Sequence, residues 1–403
     1  METWLMQWLS LLLRWAHFIT GIAWIGASFY FNWLENHLQR RADGEREQDP
    51  IAGDLWAIHG GGFYYLQKYR VAPDHMPSAL HWFKYEAYFT WLSGMALLGA
   101  IYYWNARLYL LDPVATSISA GPAIAISLGS LLASWLAYDG LCRSPLRSKP
   151  LLISLLILAW FALLAFVLCH LLSGRAAYIH IGAAIGTVMV ANVFFVIIPA
   201  QKELVNALIE GRAPQARQGQ NALQRSRHNN YLTLPVLFVM ISGHYPGTYG
   251  SPYGWLILVV FSLASVGIRH WFNVRHLPAY NRWILPLALL LLASLVLATM
   301  PSLPRPLQIA AAVSTTNIMP LIRHRCAGCH ASQPTLAGFT QPPLGLTFDS
   351  EELVEAQAQR IFQSAVTTRT MPLGDLTGMT EEERELLARW YAGLPDSSPG
   401  PNP

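Results

Sequence analysis

Residues 151–172 read LLISLLILAWFALLAFVLCHLL, with no charged side chain anywhere in the run. A bilayer core takes about 20 residues of helix to cross, so this stretch reads as a membrane span. The composition agrees. Of the 403 residues, 53% are hydrophobic and 12% are charged, whereas soluble domains average about 25% charged. Eight segments are long and apolar enough, near residues 14–34, 80–104, 119–139, 151–172, 176–200, 231–245, 253–273 and 281–300. Residues 4–13 are apolar too and either extend the first span or lie at the interface. That run is too long for a signal peptide and has no basic stretch before it.

The connections between spans alternate in charge. The first carries Arg40, Arg41, Arg46, Lys68 and Arg70, and the third Arg143, Arg147 and Lys149. The fifth carries Lys202, Arg212, Arg217, Arg225 and Arg227, and the seventh Arg275 and Arg282; the others hold only Arg107 and Arg175. Basic loops stay in the cytoplasm, so both termini are expected on the opposite side. The net charge of +4 gives no reason to expect a nucleic-acid partner. The lipid bilayer is the expected one.

Beyond Met300 the composition changes. Pro301, Pro304 and Pro306 mark a linker over 301–312, a small polar domain is expected over 313–395, and 396–403 read as a disordered tail. Within it lies Cys326-Ala-Gly-Cys329-His330, the C-x-x-C-H pattern of covalent heme c attachment. Two thioethers hold the porphyrin and His330 ligates the iron. The sixth ligand is expected some tens of residues on, and Met371 in TRTMPLGD fits. Met379 is the rival, but it sits beside Thr380-Glu-Glu-Glu383, a capping box opening the last helix, where packing is its expected role. The other two cysteines, Cys142 and Cys169, read as small hydrophobes. The fold class is therefore all-α: a polytopic eight-helix transmembrane bundle on 1–300, followed by a small class I cytochrome c domain.

Ionisable residues inside spans are functional candidates by default. His17, His170, His180 and His244 all fall toward the end of the bundle that faces the heme domain, with Arg14 one turn from His17. Paired imidazoles on neighbouring helices can hold a b-type heme, and His17 with His180 or His244 is the expected pair. The plainer alternative is a layer of interfacial histidines bonded to backbone or headgroups. On the other side lie His59 in HGGGFYYLQKY, His81 in LHWFKYEAYFTWL, and Arg225, Arg227 and His228 in the stretch before span six. The glycine run in the first of these either aims backbone N–H groups at an anion or makes a tight turn.

The motifs HFITGIAWIGASFYFNWLE, HGGGFYYLQKY, PDHMPSALHWFKYEAYFTWLSG and RHNNYLTLPVLFVMISGHYP, with the CAGCH and TMPLGDLTGMTEEER tail, resemble the bacterial membrane-bound urate hydroxylases. That resemblance covers essentially the whole chain and implies oxidation of urate to 5-hydroxyisourate, with water as oxygen source and electrons passed to the fused cytochrome. It implies the inner membrane, with the N-terminus and cytochrome domain periplasmic, and a soluble cytochrome c or terminal oxidase as acceptor. From the family, Cys326, Cys329, His330 and Met371 carry over as heme c residues. For the chemistry itself the residues suggest His59, His81 or His228 as general base and Arg225 and Arg227 as holders of the urate oxygens. Two other readings compete. One is a quinol-oxidising diheme and cytochrome c electron-transfer subunit without purine chemistry; the other is a transporter fused to a cytochrome.

Overall fold

The computed structural model describes residues 2–39, 50–73, 75–112, 116–277, 281–300, 313–336, 339, 341–373 and 376–394. The expected linker 301–312 and tail 396–403 lie outside the described residues. The chain is mostly helical. Its first part comprises α1 (Glu2–His37), α2 (Tyr85–Leu97, continued by a wide π turn to Tyr103), α3 (Ala120–Arg143), α4 (Pro150–Leu171), α5 (Gly174–Asn192, continuing through Ile209), α6 (Ala216–Ser242), α7 (Gly254–Val274) and α8 (Ile284–Ala298). Five of these stretches, Leu5–His37, Ala120–Arg143, Pro150–Leu171, Gly174–Ile209 and Gly254–Val274, are long and apolar enough to cross a membrane. Large apolar side chains cover their outer faces, with Leu151, Leu132 and Leu136 at least 60% exposed. A lipid phase is the medium in which that surface costs nothing.

Two differences from the sequence expectation have clear causes, and one open alternative is resolved. The bundle is not all-α: β1 (Ile51–His59) and β2 (Gly62–Tyr69) pair antiparallel in what had read as a loop. Gly60 and Gly61 turn the chain at φ +57° and +81°, the positive values that a two-residue hairpin turn demands. Here the glycine run is a tight turn. The polar stretch before span six is also helical, because α6 begins at Ala216, so Arg225 and Arg227 lie on a helix. And α1 reaches back to Glu2, so residues 4–13 extend the first helix.

The central helix is α5, where most positions are buried. It lies so close to α6 that a Cβ on Gly182 would stand 2.5 Å from Val239 Cγ1, the close approach that small residues allow in membrane helices. Trp91 Nε1 of α2 donates to Thr187 Oγ1 of α5 at 3.0 Å.

The tail folds around its own core. It contains α9 (Thr315–Arg325), α10 (Ala327–His330), α11 (Glu351–Ala356), α12 (Ala358–Ile361) and α13 (Glu381–Ala392). Ile318, Ile322, Leu387 and Trp390 are fully buried there. Thr380 and Glu383 form the expected capping box on α13, and Met379 packs into the core at 6% exposure. The tail touches the bundle: a Cβ on Gly250, just before α7, would lie 2.5 Å from the Thr368 carbonyl.

Arg325, next to the first heme-motif cysteine, donates to Glu383 at 2.9–3.1 Å and to the Thr377 carbonyl. Burial would raise the Glu383 carboxyl, but the bonds from Arg325 and the Thr380 N–H hold it below the usual range. A depressed carboxylate stabilises the fold above its unfolded pKa of about 4.3, and that stability is lost as pH falls through the folded value. Arg325→Gln should destabilise the tail by about 1–3 kcal/mol at pH 7. The cost should shrink toward pH 3, measured by hydrogen exchange of the α9 amides.

Candidate functional site

A cavity of about 1900 Å³ opens among α1, α2, α5, α6 and the tail. Single-ligand pockets run to roughly 300–1,000 Å³, so this one has room for more than one group. His17, Gly94, Gly182, Gly186 and Met240 line its bundle side; Leu344, Ser364, Thr370, Met371 and Met379 line its tail side. Along its rim stand Arg14, Arg175, His170, His244, Tyr102, Tyr109 and Tyr249. The Nε of Arg175 is buried without a hydrogen-bond partner.

Which histidine can ligate iron is decided by its other ring nitrogen. A backbone carbonyl only accepts, so a ring nitrogen bonded to one carries the proton, and the neutral imidazole then offers a lone pair at its second nitrogen. His17 Nδ1 lies 2.9 Å from the Thr90 carbonyl and 3.1 Å from Ser93 Oγ. Its Nε2 therefore carries no proton and keeps its lone pair for a metal. Gly94 makes room for the ring, since a Cβ there would come within 3.1 Å of Cε1. His170 is held the same way by the Phe166 carbonyl at 2.7 Å. His180 bonds the Ala176 carbonyl at 2.7 Å, but its Nε2 meets the Tyr103 hydroxyl at 3.1 Å. It is fully buried and does not line the cavity. His244 is exposed at the cavity rim.

In the tail the same rule applies to His330. Its Nδ1 lies 3.1 Å from the Leu346 carbonyl and its ring stacks on Phe348 at 4.9 Å. Burial holds the ring below the ordinary imidazole range despite that bond, which favours the neutral, ligating form. Cys326, just before α10, and Cys329, within it, are free thiols, with Cys326 pushed up to about 12 by burial and by its neighbour. Two unpaired thiols one turn apart, an oriented imidazole and a methionine facing a cavity fit the residues a covalent porphyrin needs. Among the described residues, no group of three or more His, Cys, Asp or Glu could hold a bare metal ion.

The remaining candidates fall elsewhere. His59 sits exposed at the hairpin turn, and His81 is exposed with its ring edge against Phe83. His228 Nδ1 and the Tyr138 hydroxyl are 2.8 Å apart inside a buried network. There Asn192 donates to Tyr138 and Asn229 at 3.0 and 2.8 Å, and accepts from Arg225 at 3.2 Å. Arg225 also pairs with Asp139 at 2.7 Å, a carboxylate that Arg143 shares at 2.6 Å, so its charge already has a partner within the fold. Arg227 is exposed. The structure therefore brings His17, His244 and Met371 to one cavity and leaves His59, His81, His180, Arg225, Arg227 and His228, together with Cys326, Cys329 and His330, outside its lining. Arg175 had been read only as a loop charge, because nothing local marks a cation whose Nε is buried without a partner.

No curated protein and no solved structure matches the chain. The profile of the family described as Urate oxidase N-terminal matches residues 3–300, the whole helical bundle with its cavity-lining histidines, and the chain belongs to that family.

Proposed function

We propose that the protein is a membrane-bound urate hydroxylase, which oxidises urate to 5-hydroxyisourate with water and delivers the electrons to a c-type heme on its own tail. The observation that carries this reading is the single cavity reaching from His17 to Met371 in a chain of the urate oxidase family. Urate plus water gives 5-hydroxyisourate, two protons and two electrons, so the oxygen need not come from dioxygen. The domain plan is an eight-span bundle over 1–300, a linker, and a class I cytochrome c over 313–395. The basic odd-numbered connections put the N-terminus and the tail on the periplasmic side of a bacterial inner membrane.

Cys326 and Cys329 would hold heme c covalently, and His330 and Met371 would ligate its iron. When bound, such a heme accepts single electrons at a potential raised by Met/His ligation and passes them to a soluble cytochrome c or a terminal oxidase. His17, with His244 at the rim of the same cavity, would hold a b-type heme, and Arg14 and Arg175 are the cations available there for its propionates. His180 is the weaker partner because Tyr103 occupies its second nitrogen. Two protons must also leave, one from urate and one from the attacking water. Of the three candidate bases, His228 alone is held in a buried network, while His59 and His81 stand exposed.

Two measurements follow. In ¹⁸O-water under air, the 5-hydroxyl of a single-turnover product should carry the label; label arriving from ¹⁸O₂ instead contradicts the hydroxylase reading. In His17→Ala, a pyridine hemochrome spectrum should show heme b lost and heme c retained at the wild-type ratio to protein. Unchanged heme b would remove His17 as its ligand.

A further inference from the structure

A second, smaller pocket of about 290 Å³ lies between α1 and α7, lined in part by Phe29, Asn36, His37, Arg269, Phe272 and Asn273. Phe29 is twelve residues beyond His17 on the same helix, about 18 Å at 1.5 Å per residue, so this pocket sits in the half of the bundle away from the tail.

Its organising residue is Arg269. The side chain is buried at 8% exposure, and its guanidinium stacks over the Phe29 ring at 4.0 Å. Nε donates to Asn230 Oδ1 at 2.9 Å, and that same oxygen accepts from Asn273 Nδ2 at 2.9 Å. Asn230 is in turn anchored to the Ser28 carbonyl at 3.2 Å. The fork is thus aimed from its rear, and among the described residues no carboxylate pairs with it. Arg225 makes the contrast, since Asp139 pairs with it at 2.7 Å. A buried cation without a counter-charge is costly, and costlier still in a span. Phe29, beneath the guanidinium, and Phe272 give the pocket an aromatic lining, and a guanidinium suits two adjacent oxygens.

We propose that this pocket binds the substrate, a planar oxopurine monoanion, with Arg269 gripping its oxygens and Phe29 and Phe272 bounding its ring. This rests on the urate reading above. His37 is positioned beside the ligand as a proton acceptor: its Nδ1 bonds the Trp33 carbonyl at 2.8 Å, leaving Nε2 unprotonated in the neutral ring. The aromatic lining favours a purine over a phospholipid headgroup, the other anion a membrane supplies.

Binding of ¹⁴C-urate to the heme-loaded full chain in detergent, by equilibrium dialysis, tests this beside urate turnover. Arg269→Gln should weaken binding at least about thirtyfold with heme c content unchanged. Arg269→Lys, which keeps the charge and loses the fork, should fall between. Neutral hypoxanthine should not displace the label. Wild-type binding by both variants overturns the pocket and leaves the hydroxylase standing, as does Arg269-dependent retention of anionic phospholipid with urate binding unaffected. Arg269-dependent urate binding without turnover in the wild type sinks the hydroxylase and keeps the pocket. A wild-type chain that neither binds nor oxidises urate sinks both.

Discussion

A proton fixed on Nδ1 by a backbone carbonyl governs much of this molecule. His17 leans on Thr90 and His330 on Leu346, and each thereby offers Nε2 to a cavity or a cradle without further adjustment. The helices supply the carbonyls: Gly94 clears the space in which the His17 ring can reach α2, and the α10 turn sets His330 against Leu346. Where the second nitrogen finds a partner, as His180 does at Tyr103, the same side chain becomes a packing element.

The same accounting sorts the cations. Inside an apolar bundle a charge is either paired or waiting. Arg225 belongs to a closed network with Asp139, Asn192 and Tyr138 that ties α3, α5 and α6 together. Arg269 is held by an amide oxygen, a neutral partner that orients it and leaves its charge intact. That difference gives Arg225 a structural role and underlies the binding proposed at Arg269, whose pocket lies apart from the cavity that touches the tail. Electrons taken from the first would have to travel toward the second, which is where His17 stands.

Much of this was legible before any coordinates. Uncharged apolar runs such as 151–172 announce helices by length alone, and C-x-x-C-H at 326–330 raises the expectation of a covalent heme by its spacing. The capping box at Thr380 was equally plain, since it needs only residues three apart. What escaped was tertiary. The 51–69 hairpin was hidden because its apolar residues come in runs without clean alternation and its glycines serve a turn as well as a loop. The first turns of α6, rich in Arg, Gln and Asn, carry no apolar period and read as a connection. His17 and His180 look alike in sequence and differ only in what meets the second nitrogen. Arg269 could not have been singled out at all, because its significance lies in a missing partner.

The most direct test of the account is an anoxic titration. Purified protein with its heme oxidised is mixed with urate, and the heme absorbance is followed together with the product. Reduction of the heme, with one 5-hydroxyisourate formed for every two electrons taken up, is the predicted result. A heme that stays oxidised with urate yet reduces promptly with a quinol would contradict the account and leave an electron-transfer subunit without purine chemistry.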